Sequence, residues 1–295
     1  MRGNWDDMRI FLSVARERSL SGAGRALRMD PATVGRRIAR LEDQLAASLF
    51  LKSPQGYDLT DMGQRMQAHA ELAEQALSGA AAEVRGDADR LSGTVRIGAP
   101  DGCANYLLPQ VCTAIAARHP DLDVQILALP RVLDFGRREA DLAITVSRPA
   151  SGRLTVQKIA DYHLCLAGHR DLPPVDDLAA LQARRIVGYI PDMIFDSELD
   201  YLGQLGIARV AMSSNSAAVQ LRLLAERAGF GIVHLFALPS APDLVPVLRD
   251  QLLLTRSFFL VRHAADRRVA RLNRFAALFT ETMRTEIARL EAAAA

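Results

Sequence analysis

An α/β fold class is predicted for this 295-residue chain, preceded by a helical head with a small β-wing. Three observations carry the prediction. The first stretch repeats apolar residues at helical spacing and is broken by tight turns. An alanine-rich segment follows. From Thr94 onward short strands alternate with amphipathic helices, the pattern of α/β units with largely parallel sheets.

Trp5, Met8, Phe11, Leu12 and Ala15 repeat at helical spacing and predict the first helix. Ser19 or Ser21 caps a second, carrying Ala23, Ala26 and Leu27. Asp30 then supplies a side-chain acceptor for free first-turn amides, and Pro31 has φ preset for the first helical position. In the third helix Val34, Ile38, Leu41 and Leu45 share one stripe. Thr33, Arg36, Arg37 and Arg40 share another. At about 100° per residue the stripes are centred roughly a third of a turn apart. One stripe can bury while the other offers guanidinium groups and a hydroxyl, as a helix lying in a DNA major groove requires. Leu49 to Thr60 reads as two extended pieces around Pro54-Gln55-Gly56, a wing. Together these make a winged helix-turn-helix. Of 36 basic residues only Lys52 and Lys158 are lysines, so arginine bias alone could populate a solvated face. The turn before the helix and the wing after it favour DNA.

Thr60 caps a long helix running to about Val84 or beyond, with Gly63 in its first turn. Met66, Ala70, Ala73, Leu77, Ala80, Ala81 and Val84 form an alanine-rich stripe. Small residues let helices approach closely, so antiparallel pairing with a second chain is expected; packing on its own chain is the alternative. Residues 86–93 are polar and contain glycine, marking a boundary.

Strands are expected at Thr94–Ala99, Val124–Leu129, Asp141–Val146, Thr155–Ile159, Tyr162–Ala167, Arg185–Tyr189, Ile232–Val233, Leu244–Leu248 and Ser257–Val261. Helices are expected at Cys103–Arg118, Val132–Arg138, Ala217–Arg227 and, as one or two pieces, Val269–Leu290. Ligands of open α/β sheets sit beyond strand carboxyl ends, near helix N-termini. Four such places are Asp101-Gly102-Cys103, Arg131, Thr145 with Ser147-Arg148, and Ser214-Asn215-Ser216. Arg131 and Arg148 suit an anionic ligand, whereas Asp101 suits a cation or a hydroxyl-rich one, and the ligand stays open. Cys103 at a helix start raises a redox-sensing possibility, since such thiols can have lowered pKa values; a small buried side chain is the other reading.

Net charge is +2. Residues 1–60 hold ten Arg or Lys against seven Asp or Glu, leaving 26 against 27 for the rest, so the small positive excess lies in the head. The three cysteines lack metal spacing and suggest reduced thiols in a cytoplasm. No run is apolar and long enough to span a membrane, and no signal-peptide core is seen. There is no Gly-x-Ser-x-Gly elbow, Gly-x-x-x-x-Gly-Lys loop or His-Glu-x-x-His helix. Gly229-Phe230-Gly231 starts like a dinucleotide loop, but His234 replaces the third glycine. No enzyme, cofactor or metal site is expected.

Residues 4–62 resemble the N-terminal domain of LysR-type transcriptional regulators. The resemblance rests on Asp7-Met8-Arg9-Ile10-Phe11, the helix-turn-helix, Leu41-Glu42, Leu49-Phe50, Gly56-Tyr57-Asp58-Leu59-Thr60 and Gly63. Asp30 and Gly35 stand where many members have Ser, and the wing offers Gln55 and Asp58 where a basic residue is common. The resemblance implies a winged helix-turn-helix (1–62), a linker and dimerisation helix (63–92) and a periplasmic-binding-protein-like effector domain (93–295). The last would have two α/β subdomains, about 93–162 with 267–295 and about 163–266. The expected function is sequence-specific promoter binding modulated by a small-molecule effector, in a cytoplasmic homo-oligomer, dimer or tetramer, with RNA polymerase as a further partner. Thr33, Arg36, Arg37 and Arg40 would face the groove, and Ser21, Lys52 and Gln55 would touch phosphate or the wing's groove. Arg37→Ala is expected to weaken operator binding with folding and dimerisation intact. A periplasmic-type binding protein without DNA function, or an effector-independent regulator, are the alternatives.

Overall fold

In a computed structural model, residues 4–53, 56–84, 90–129, 140–149, 152–207 and 209–294 are described. The chain divides into two compact units, residues 1–88 and 89–295.

The first unit starts with α1 (Trp5–Glu17), α2 (Leu20–Leu27) and α3 (Pro31–Leu45). Each has a side-chain N-cap, of which Ser19 and Asp30 were expected and Asn4 was not. Asn4 accepts from the Asp6 amide, Ser19 from the Gly22 amide, and Asp30 from the amides of Ala32 and Thr33. Strands β1 (Phe50–Ser53) and β2 (Gly56–Leu59) pair antiparallel as the wing. Helix α4 (Asp61–Val84) follows. Ile10, Phe11, Leu12 and Val14 of α1 meet Val34, Ile38 and Leu41 of α3 in one core, closed by Leu49 and Phe50. The Phe11 and Phe50 rings lie 5.3 Å apart. Leu45, expected as the fourth anchor of α3, is only half-buried at the edge of that core.

Three carboxylates fasten this unit beyond its apolar core. Glu42 Oε1 accepts from the amides of Leu49 (2.6 Å) and Phe50 (3.1 Å), fixing the start of the wing against α3. Glu74 accepts from Arg16 at 2.6 Å and ties α4 to α1. Asp7 is taken up below. The α4 stripe divides: Met66 and Ala70 pack into the unit's own core, whereas Leu77 is half-exposed. Gly63 lies where α4 passes the wing entry, and a Cβ there would overlap the Leu49 carbonyl.

The second unit is built on a nine-stranded sheet in the order β4-β3-β5-β11-β6-β9-β7-β8, with β10 beside β6. Its strands are β3 (Gly93–Pro100), β4 (Leu122–Leu129), β5 (Leu142–Thr145), β6 (Leu154–His169), β7 (Ile186–Gly188), β8 (Met212–Ser213), β9 (Phe230–His234), β10 (Leu244–Pro246) and β11 (Leu253–His263). The sheet is mixed, which corrects the expectation of a largely parallel one. Its two ends, β4-β3-β5 and β9-β7-β8, are parallel. In the middle β6 and β11 run antiparallel to each other and to their neighbours. Apolar alternation marks strands but carries no direction. The two strands expected at 155–159 and 162–167 are one, β6; Asp161 in the expected gap pairs with Ser257 of β11.

Helices α5 (Asp101–Tyr106), α6 (Leu108–Ala116), α7 (Leu178–Gln182), α8 (Ala217–Ala225) and α9 (Ala270–Ala293) complete the unit. The single helix expected from Cys103 to Arg118 is split into α5 and α6. Pro109, at the start of α6, has no amide to continue the ladder and suits a first turn. Helix α9 buries Leu272, Phe275, Phe279, Met283, Ile287 and Leu290 on one face. Arg271 bonds the carbonyls of Ser92 and Thr94, tying α9 to the start of β3. The expected helix Val132–Arg138 lies outside the described residues.

Glu42→Ala leaves two wing amides without their acceptor. Chemical denaturation of the full chain is expected to show a loss of about 1–3 kcal/mol in the transition of the first unit.

Candidate nucleic-acid interface and effector cleft

Helix α3 presents its polar stripe differently from the expectation. Arg37 is drawn back onto α1, where its Nε donates to Asp7 at 2.6 Å and its terminal nitrogen to Asp6 at 2.5 Å. Arg40 donates to both oxygens of Asp7 at 2.7 and 2.8 Å. Asp7 is 1% exposed and Arg37 20%, while Arg40 keeps 51% of its side chain in solvent. The reading of all three arginines as outward-facing is therefore corrected for Arg37. A buried carboxylate needs paired donors, and two guanidinium groups supply them. The Arg37 guanidinium also holds the Asp6 carboxyl below its ordinary range.

What remains turned to solvent is Arg36, whose guanidinium donates to Thr33 Oγ1 at 3.0 Å, together with the outer part of Arg40. Ser21 on α2 and Lys52 on β1 are exposed. Gln55 lies outside the described residues. Sequence reasoning missed the role of Asp6 and Asp7. Asp7 stood in the quoted family motif, but its partner is 30 residues away and no local spacing pairs them.

In the second unit, Asp101 and Gly102 open α5 beyond β3, and Ser214-Asn215-Ser216 leads into α8. Asp101 Oδ2 accepts from Ser216 Oγ (2.9 Å) and from the Ala218 amide (3.1 Å). Its other oxygen accepts from Asn105 Nδ2 at 3.0 Å. Asp101, Gly102 and Asn215 line a narrow recess of about 10 Å³, room for roughly one water, with Val146, Tyr189 and His234. Gly102 is required by contact: a Cβ there would overlap the His234 ring. A second, roomier recess of about 190 Å³ opens between Val187, Ile194, Leu202, Val210 and Ile232, and Tyr189 lines both.

Other expected ligand contacts are engaged elsewhere. Thr145 Oγ1 donates to the Ser147 carbonyl, and Ser147 Oγ donates to Asp196 at 2.5 Å. Ser214 Oγ accepts from the Ser216 amide. Arg148 is exposed and does not line either recess, and Arg131 lies outside the described residues. Cys103 is fully buried, and burial pushes its thiol well above the ordinary value, the opposite of the lowered value that redox sensing would use. Burial likewise pushes Cys112 and Cys165 up to about 12. Among the described residues no group of three or more His, Cys, Asp or Glu could hold a metal, and no helix is long and apolar enough to cross a membrane.

His234 was passed over in the sequence as a failed glycine. In the fold it ends β9 at the floor of the cleft, its ring near Tyr162 (5.7 Å) and Phe236 (4.9 Å). Burial pushes its pKa down to about 4, so the imidazole is neutral.

A winged helix-turn-helix followed by an α/β unit with recesses beyond the end of β3 defines a regulator that joins DNA binding to ligand binding. Residues 5–64 match the family described as "Bacterial regulatory helix-turn-helix protein, lysR family", and residues 88–284 match "LysR substrate binding domain". The chain belongs to the LysR family of transcriptional regulators. It is 29% identical over 243 residues to the HTH-type transcriptional regulator DgdR of Burkholderia cepacia, covering 80% of this chain and 79% of that one. It is 27% identical to the regulator YfeR of Shigella flexneri, covering 84% and 86%. Among solved structures, a mutant of OxyR from Corynebacterium glutamicum matches with a TM-score of 0.67 at 17% identity, over 99% and 96% of the two chains. The LysR-type regulator CrgA of Neisseria meningitidis matches with a TM-score of 0.58 at 18% identity, over 96% and 99%. At these identities the structural likeness shows the fold.

Arg37→Ala leaves the buried Asp7 with one partner. In contrast to the sequence-based expectation of intact folding, urea unfolding is expected to show a loss of about 1–3 kcal/mol. His234 supplies a pH dependence. Its folded value of about 4 lies below the ordinary value of 6.5, so the unfolded chain takes up the extra proton first. The associated stability is whole above about pH 6.5 and is lost as pH falls towards 4, by up to about 3 kcal/mol. Melting curves of His234→Gln against the parent over that window are expected to show a flatter acid limb.

Proposed function

We propose that the first unit grips an operator in double-stranded promoter DNA through the solvent face of α3. Arg36 and Arg40 reach base edges, and Thr33 orients Arg36 through their hydrogen bond. Arg37 acts through Asp6 and Asp7 and sets the angle of α3. Ser21, Lys52 and Gln55 meet phosphates or the adjacent groove and set register. The observation that carries this reading is the pair of arginines left exposed on a helix whose opposite face is buried and whose flank is fastened by Asp7.

Helix α4 supports pairing with a second copy, since Leu77 stays exposed beyond the turns occupied by the unit's own core. A dimer places two reading heads on one site, and two dimers give a tetramer. A small-molecule effector binds the cleft beside Asp101 and Asn215, changes the relation between paired effector domains and thereby the bend of bound DNA. Contact with RNA polymerase and a cytoplasmic location complete the reading.

Gel-shift titration against an operator fragment tests it. Arg36→Ala is expected to lower affinity about tenfold while unfolding as the parent does, because only its solvent face is altered. Unchanged affinity would remove Arg36 from the interface.

A further inference from the structure

Between β7 and β8 the chain passes through three short 3-10 turns, Pro191–Met193, Ser197–Leu199 and Gly203–Leu205. Side chains of this stretch, with Val187 of β7 and Ile232 of β9, line the roomier recess of about 190 Å³. Gly188 lets the strand and the turns approach, since a Cβ there would lie 2.5 Å from Leu202 Cδ1. Neither Asp101 nor Ser214-Asn215-Ser216 lines this recess, so it is distinct from the narrow one beside them. An apolar cavity of about 150 Å³ stays dry and holds a molecule the size of benzene. This recess has room for a single ring.

Its polar groups are few and differ in what they leave open. Asp200 is engaged, with Oδ1 accepting from the Gly203 amide at 3.0 Å. Gln220 of α8 lines the recess and is 5% exposed. Its Nε2 donates to the Ser214 carbonyl at 2.8 Å, and a carbonyl only accepts, so this bond fixes which way the amide lies. Oε1 accepts from no group among the described residues and is the open acceptor of this wall. A buried carbonyl oxygen without a donor costs free energy that an incoming O–H or N–H recovers. Tyr189 and Tyr201, with rings 6.1 Å apart, add aromatic wall.

We propose that this recess is a second ligand site, for a small, uncharged, mostly apolar molecule of phenol size that donates one hydrogen bond to Gln220 Oε1. The apolar body displaces no well-held water, because Val187, Ile194, Leu202 and Ile232 offer water no partner. A carboxylate is disfavoured: the recess is lined by Asp200 and by no Arg, Lys or His. The inference does not depend on the reading of the cleft beside Asp101 as the effector site.

Isothermal titration of the full-length protein with phenol and toluene, alike in size and differing in one donor, tests it, with benzoate as the charged probe. The parent is expected to bind phenol and toluene at one site per chain, and benzoate at least about tenfold more weakly than phenol. Gln220→Met, similar in shape but without the acceptor, is expected to weaken phenol about tenfold and to leave toluene within about twofold. Val210→Phe, which fills the recess, is expected to weaken both at least about tenfold. A parent that binds neither phenol nor toluene, or binds benzoate as tightly as phenol, overturns the proposal. So does a folded Val210→Phe that keeps both ligands, or a folded Gln220→Met that leaves phenol unchanged or weakens the two alike. Should Val210→Phe not fold, Ile207→Phe places the bulk on another wall, and a folded Ile207→Phe that keeps both ligands overturns it as well.

Discussion

The recognition half of this protein depends on a buried carboxylate. Asp7 sits on the first helix with almost no access to water, and an unpaired charge there would be untenable. Arg37 and Arg40 reach across from α3 to satisfy it. The apolar stripe of Val34, Ile38 and Leu41 fixes the depth of α3, but hydrophobic contact is non-directional. The forked hydrogen bonds to Asp7 add the rotational setting. Arg36 keeps its outward aim because its neighbours hold the helix still.

The effector half uses a carboxylate in a related way with a different result. Asp101, at the start of α5, also closes the first turn of α8, so its charge is satisfied by two elements at once. Behind it lies a set of aromatic rings around Tyr162, whose ring lies 4.0 Å from that of Phe258. Burial keeps the nearby His234 neutral, so the floor of the cleft is polar without being charged.

Local features of the fold were legible in the residues. Asp30 and Pro31 announced α3, Ser19 announced α2, and the alternation from Thr94 announced the strands. Each depends on neighbours within one turn or one pleat. Features joining distant residues were not legible. Asp7 with Arg37, Glu42 with the wing amides, and Asp101 with Ser216 have no spacing that a pattern can register. His234 gave a misleading signal, since its position after two glycines suggested a broken phosphate loop. Pro109 was visible in the sequence but was read through, which merged α5 and α6. Strand direction escaped because alternation is the same whichever way a strand runs.

The long pairing of β6 and β11 carries a mechanical consequence. These two strands form the middle of the sheet, between its two parallel ends, and their register slips between Phe258 and Phe259. A slip of this kind bends a ladder and re-aims the side chains beside it. Phe258 is also a wall of the cleft. Because that ring is fully buried against Tyr162, the kink in the ribbon and the packing beneath the cleft are joined at a single side chain.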